Sequence, residues 1–222
     1  MPNHVINVLR FKNLTKAKIK ILKENLTTIQ ENEMLFDFNK IIKEPESLNL
    51  ISGSLEDYAI EYVEFKEHNL HLEEKDKLEE QNKNFIKTLT EEPIFEDYCK
   101  IYKKYNINNL YDLGKLYLEN KKRYGATTWY NWSTENWGTK WNAYDQMIKE
   151  GKTYIEFIFS TAWAMPMPIY KELEKLGLNF EVKYADEDCG NNCGILKYIN
   201  GEEEYINMEG NIRWCTNLWK IK

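Results

Sequence analysis

The sequence predicts an α+β protein, a ferredoxin-like split βαβ sandwich with a helical insertion. Two β-α-β patterns lie towards the two ends of the chain, and the charged, glycine-poor stretch between them has helical character. We assign residues 1–52 to the N-terminal βαβ part of the core, residues 53–124 to the helical insertion, and residues 125–222 to a ferredoxin-like C-terminal domain.

The N-terminal pattern begins with "HVINVLRF" at residues 4–11, which is apolar and β-branched enough for a buried strand. Thr15 is the expected N-cap of the helix that follows, because three apolar residues recur on one helical face: Ile19, Leu22 and Leu26. The segment "MLFDFNKII" at 34–42 predicts the second strand of this βαβ unit, ended by Pro45.

The insertion is predicted to contain three or four helices. Leucine and tyrosine recur there at helical spacing, and Gly125 is the expected end of the last helix.

The C-terminal pattern begins with the alternating segment "KTYIEFIFS" at 152–160. Pro168 is expected at the start of the next helix and Gly177 just beyond its end. The strand "NFEVKYADED" then turns through "DCGNNCG" into a paired strand, and a short helix is expected near the C-terminus.

Composition limits the class of protein. The chain has 222 residues and a formal net charge of −6, and no part of it is strongly basic. An extended duplex-binding surface is therefore not expected, since that mode neutralises many phosphates. No apolar run is long enough to span a membrane, and the N-terminus lacks the pattern of a secretory signal, so we expect a cytoplasmic protein.

Residues 127–144 hold four of the seven tryptophans: Trp129, Trp132, Trp137 and Trp141. Gly138 and several asparagines favour strand and turn for this segment over helix. The favoured interpretation is that these indoles anchor the core. Two alternatives remain open, namely a base-stacking platform beside Lys140 and a protein-binding hot spot.

The carboxylates and cysteines of the C-terminal turn are the candidate sources of chemistry. Asp186, Glu187 and Asp188 lack the register of a calcium loop, and a solvated hairpin turn is the plainer interpretation. Cys189 and Cys193 are spaced poorly for zinc, and no histidine follows Cys193 in the sequence to activate its thiol. We therefore expect no catalytic residue, no metal and no cofactor, and a protein that is not an enzyme.

Four motifs occur in order along the chain: "MPNHVINVLRF", "WSTENWGTKWNAYD", "FSTAWAMPMPIY" and "YADEDCGNNCG". Together they resemble a phage- and plasmid-borne family of unknown function, the YubB type, whose members pair an N-terminal segment with a ferredoxin-like domain. The resemblance implies this fold and a mobile-element origin, and it brings no catalytic residues.

From this we expect a non-enzymatic mobile-element protein that binds, and inhibits, a host macromolecule such as a CRISPR-type defence nuclease. Acidic proteins can occupy phosphate-binding grooves by charge complementarity, and we expect the charged insertion to make that contact. The partner would be a host protein or a protein–nucleic-acid complex. The alternative is a module that binds single-stranded nucleic acid through residues 127–144. The candidate partner-binding residues are Trp129, Trp132, Trp137, Lys140, Trp141, Asp186, Glu187 and Asp188.

Overall fold

The computed structural model describes residues 3–68, 75–91 and 96–221. Its elements, in chain order, are β1 His4–Phe11, α1 Lys16–Leu26, β2 Thr27–Gln30, β3 Glu33–Phe36, α2 Ser54–His68, α3 Lys75–Glu91, α4 Glu96–Lys104, α5 Leu110–Tyr124, α6 Trp129–Asn136, β4 Tyr144–Glu150, β5 Ile155–Ala162, α7 Met167–Lys175, β6 Phe180–Asp186, β7 Cys193–Ile199, β8 Glu202–Asn207 and α8 Ile212–Trp219.

Two units are formed. Met1–Lys43 and Ser133–Lys222 make a sheet unit, and Glu44–Trp132 make a helical unit. These boundaries differ from the predicted ones, because residues 44–52 and 125–132 cluster with the helices.

The sheet unit is built on six antiparallel strands in the order β4-β5-β1-β6-β7-β8. Since β4 and β1 are both antiparallel to β5, which lies between them, β4 and β1 run parallel to each other. In the same way β5 and β6 are parallel and enclose β1. Helices α1 and α7 lie in the two connections, so two split βαβ units interlock. This arrangement confirms the ferredoxin-like fold class, and β7 and β8 extend the sheet at one edge.

The second strand of the first βαβ unit was predicted incorrectly. Glu33–Phe36 instead pairs with β2 in a separate two-stranded sheet, and residues 38–40 form a 3₁₀ turn. Glu31 and Asn32 both have positive φ, which suits a tight two-residue hairpin turn and joins the two short strands locally. The strand that completes the βαβ unit is β4, which comes after the helical unit in the chain.

One face of the sheet carries an aromatic core. Phe157 and Phe159 on β5 lie 4.9 Å and 5.0 Å from Phe36 between ring centroids, and Tyr170 of α7 lies against Phe180. The Tyr170 hydroxyl also donates to Oδ1 of buried Asn7 at 2.9 Å, so the polar group within this core is satisfied.

The other face is covered at one end by α8. Its buried residues Cys215 and Leu218 pack with Ile6, Ile158 and Cys193 of the sheet. The predicted N-cap Thr15, the proline at the start of α7 and Gly177 beyond its end all lie where the sequence placed them.

The helical unit contains four helices before α6 within the described residues, as expected for the insertion. Its core includes Tyr62, Leu113 and Tyr117. Gly114 allows α5 to lie directly on α2, because a Cβ there would be 2.1 Å from the Ala59 carbonyl oxygen. Gly125, at φ 78°, caps α5 as predicted. Among the helices described, none has the length and apolarity needed to cross a membrane.

Candidate binding surface at one end of the sheet

The tryptophan-rich segment is mainly helical, which corrects the expectation of strand and turn. Helix α6 spans Trp129–Asn136, with the Trp132 amide donating to the Thr128 carbonyl and the Trp137 amide to the Ser133 carbonyl. The turn comes only afterwards, at Gly138, whose φ is 77°. Hydrogen bonds between residues four apart therefore override the turn preference of the asparagines here.

The four indoles of this segment have different environments. Trp132 and Trp137 are 5% and 3% exposed, and Trp137 Nε1 donates to the Ile42 carbonyl at 2.9 Å. Trp129 is half-buried, whereas Trp141 is 37% exposed. The core interpretation therefore fits Trp132 and Trp137, and burial disfavours both as partner contacts.

Trp141 lies beside a second exposed indole, Trp163, which follows β5 and is 41% exposed. The Lys140 ammonium lies 5.0 Å from the Trp141 ring centroid and 5.4 Å from that of Trp163. A cation at this distance from an aromatic ring is attracted to it. Lys140 therefore holds the two rings together from two different loops.

The backbone of Trp163 is in an unusual conformation. Its φ of 73° lies in the left-handed region, which bulky residues rarely adopt. Two hydrogen bonds hold it: the Trp163 amide donates to the Asn3 carbonyl at 2.8 Å, and Asn192 Nδ2 donates to the Trp163 carbonyl at 3.1 Å. Backbone strain of this kind is concentrated at functional sites in proteins.

The predicted acidic turn lies at the same end of the sheet. Asp186 is buried, and its Oδ1 accepts the Asp188 amide at 3.0 Å, so its role is to shape the turn. Glu187 and Asp188 are exposed. Glu187 Oε1 accepts the His4 amide at 3.0 Å, and Asp188 Oδ2 accepts Asn3 Nδ2 at 2.9 Å.

Tyr144 connects the acidic turn to the indoles. Its ring packs edge-on against Trp141 with centroids 5.9 Å apart, and its hydroxyl is hydrogen-bonded to His4 Nδ1 at 2.6 Å. Burial, with smaller contributions from the charges of Asp145 and Glu187, raises the pKa of Tyr144 to about 12, so the hydroxyl stays protonated at neutral pH.

One continuous surface results, which we call the tryptophan–acid surface. It consists of Lys140, Trp141, Tyr144, Trp163, Glu187 and Asp188. Of the predicted residues, Lys140, Trp141, Glu187 and Asp188 are brought together, and Asp186 supports them from below. Trp129 and Trp132 belong to the helical unit instead.

Four residues of this region were not among the candidates predicted from the sequence: Asn3, His4, Tyr144 and Trp163. The available signal was Trp163 itself, a large ring between two alanines in the turn "STAWAMP".

The cysteines and carboxylates provide little reactive chemistry. Burial raises the pKa of Cys193 to about 12, with a further contribution from Cys215, so this thiol is protonated at neutral pH and is a poor nucleophile. Within the ranges that the structure describes, no three His, Cys, Asp or Glu side chains are grouped so that they could hold a metal ion.

Comparisons with known proteins bear on the sheet unit. Residues 136–215 match a family model described as a ferredoxin-like domain in Api92-like protein. The crystal structure of a protein api92 from Yersinia pseudotuberculosis is similar in outline, with a TM-score of 0.45 and 10% sequence identity over 93% of this chain and 99% of that one. A search of the curated proteins finds no match.

Proposed function

We propose that this protein is a non-enzymatic protein of a phage or plasmid that acts in the host cytoplasm, where it binds and inhibits a host macromolecule such as a CRISPR-type defence nuclease. The observation that carries the proposal is the pair of exposed indoles, Trp141 and Trp163, on a surface that also carries the exposed carboxylates Glu187 and Asp188. The resemblance of the sequence to a mobile-element family supports the proposed origin.

The exposed indoles can supply much of the binding free energy. Trp141 and Trp163 are 37% and 41% exposed. Covering that fraction of a ring system of about 150–250 Å² would remove roughly 60–100 Å² from water, or about 1.5–2.5 kcal/mol for each indole. Values of this size are typical of interface hot spots, where tryptophan is enriched.

The carboxylates indicate the chemistry of the partner. Asp188 is linked to Trp163 through Asn3, Glu187 is hydrogen-bonded to the His4 amide, and the chain as a whole carries a net charge of −6. An arginine side chain can stack on an indole and pair with a carboxylate at the same time. A basic groove that normally holds phosphates would therefore complement this surface.

The test is a plasmid-interference assay in cells whose CRISPR-type nuclease targets an incoming plasmid. Expression of the wild-type protein should restore transformation, and the double variant Trp141→Ala/Trp163→Ala should abolish that protection. Leu176→Ala is the matched control, because Leu176 is 65% exposed and lies outside the tryptophan–acid surface. Protection that survives the double substitution would show that another surface makes the contact.

The predicted contact through the charged insertion is tested in the same assay. Glu80 is exposed on α3, so Glu80→Lys reverses a surface charge there without touching the core. Loss of protection in this variant alone would move the contact to the helical unit.

Single-stranded nucleic acid is the second candidate partner. Lys140 between two exposed indoles resembles the combination of stacking and positive charge that holds unpaired bases. Glu187 and Asp188 oppose it, because their carboxylates repel phosphates. Titration with short oligonucleotides at low salt should leave tryptophan fluorescence unchanged under our proposal, and quenching that is lost in Trp141→Ala would favour this alternative.

A further inference from the structure

A cleft of about 500 Å³ lies in the sheet unit at the opposite end of β1 from the tryptophan–acid surface. It is bounded by the start of α1, the turn after α7, the start of β6 and the end of β7. Clefts of this size commonly bind small molecules.

The floor and the rim of this cleft are apolar. Phe11 and Phe180 are buried rings that pack together at 5.6 Å between centroids, and both line the cleft. Ile21 and Ile199 also line it, and they are 52% and 50% exposed. Two large aliphatic side chains left half in water over an aromatic floor are typical of a binding site for an apolar group.

The polar part of the lining is cationic. Arg10, Lys12 and Lys18 line the cleft together with one carboxylate, Glu181. Arg10 is paired with Glu156, outside the lining, at 3.4 Å. Glu181 already pairs with Lys12 at 3.3 Å. Within the described residues, the Lys18 ammonium forms no ion pair, so it is available to an anion.

We propose that this cleft binds a fatty-acid-type amphiphile, with its unbranched apolar tail over Phe11 and Phe180 and its carboxylate at Lys18. The apolar floor and rim match the tail, and the Lys18 ammonium matches the anionic head, since Arg10 and Lys12 are already paired with Glu156 and Glu181. This site goes beyond the proposed function, because it shares no residue with the tryptophan–acid surface and does not depend on a host partner.

If the tail is buried in this cleft, the affinity should rise with the length of the alkyl chain. Burying one methylene contributes about 0.8 kcal/mol, which corresponds to about fourfold in affinity. Affinity for the purified protein, measured by isothermal titration calorimetry, should therefore rise about fourfold per methylene from octanoate through decanoate, each kept below its micelle concentration. Decyltrimethylammonium, with a similar tail and the opposite charge, should bind at least tenfold more weakly than decanoate.

Two variants locate the site. Ile21→Glu places a carboxylate at the apolar rim and should abolish decanoate binding, whereas Lys18→Glu should weaken it about fivefold. The matched control is Ile29→Glu, because Ile29 is 73% exposed on β2 and does not line the cleft. Circular dichroism melting of all three variants reports whether each is folded.

Equal affinities for Ile21→Glu and Ile29→Glu would overturn the proposal, as would affinity that does not change with chain length or head-group charge. Failure of decanoate to bind would overturn it as well. Binding to phosphatidylglycerol vesicles without binding to monomeric decanoate would replace it with a membrane-docking role for the same cleft.

Discussion

Trp163 gives the sharpest test of how the tryptophan–acid surface is built. Its φ of 73° is unfavourable for any residue with a Cβ, and glycine alone adopts it freely. The variants Trp163→Gly and Trp163→Ala both remove the indole, so any contact that the ring makes is lost in each. Their difference in stability therefore isolates the backbone conformation.

The magnitude follows from two opposing contributions. A left-handed conformation costs alanine about 1–2 kcal/mol, and glycine avoids this cost. Glycine in turn loses about 0.5–1 kcal/mol more chain entropy than alanine on folding. Trp163→Gly should therefore be more stable than Trp163→Ala by roughly 0.5–1 kcal/mol.

Urea unfolding, followed by circular dichroism, measures this difference as a shift of the midpoint. The shift should be roughly 0.2–0.5 M, given typical denaturant dependences. Both variants should lose partner protection to the same extent, since neither presents the ring. An alanine variant as stable as the glycine variant, or more stable, would refute the reasoning that Trp163 is held under strain.

Three further predictions concern stability. Tyr170→Phe removes the hydroxyl that donates to Oδ1 of buried Asn7, so the free energy of unfolding measured in urea should fall by about 1–3 kcal/mol. An unchanged midpoint would contradict this hydrogen bond. Gly138→Ala should cost about 2–4 kcal/mol in the same assay, because φ is 77° and the new Cβ would lie 2.6 Å from Pro168 Cδ. Burial raises the pKa of Glu44 from 4.5 to about 7, so the folded state holds this proton more tightly than the unfolded state. Stability should therefore fall as pH rises from about 4.5 to about 7, and Glu44→Gln should remove that part of the pH dependence in thermal melts; an unchanged profile would contradict it.

Much of the core could be predicted because its strands are apolar. Residues in β1, β5 and β6 are buried on one or both faces, and their β-branched and aromatic runs are visible in the sequence. The helix ends were predictable for a local reason, since Thr15 and Gly177 act within one turn of the helix they bound.

The edge strands could not be predicted from the same signal. β8 begins with three glutamates and is almost fully exposed, and β4 mixes exposed polar residues with partly buried ones. Edge strands of natural sheets often carry charge, which weakens the alternation that identifies a strand. The prediction of 34–42 as a strand of the main sheet failed because Glu33–Phe36 pairs locally with β2, although Phe36 and Phe38 are buried in the core as their apolar character indicates.

The candidate surface was predictable in its parts and not as a whole. Trp141 and Glu187 are far apart in the sequence, and no pattern there indicates that they share a surface. The antiparallel register brings them together, because His4 at the start of β1 pairs with Ala162 at the end of β5, and Val5 pairs with Asp186 at the end of β6. Trp163 was missed because its left-handed backbone contradicts the preference of its residue type.

Several departures from local backbone preference lie at this end of the sheet, at Asp145, Trp163, Cys189 and Asn192. Asparagine accounts for many of the positive φ values among the described non-glycine residues, and it tolerates them. Trp163 and Cys189 do not share that tolerance, and both lie in the turns that form or adjoin the tryptophan–acid surface. The indoles of Trp141 and Trp163 also remain partly exposed there. A chain shaped by stability alone would bury these rings and relax this backbone, so their persistence in one place favours selection for binding. On this reasoning, substitutions that relax the surface should stabilise the fold and weaken its recognition of a partner together.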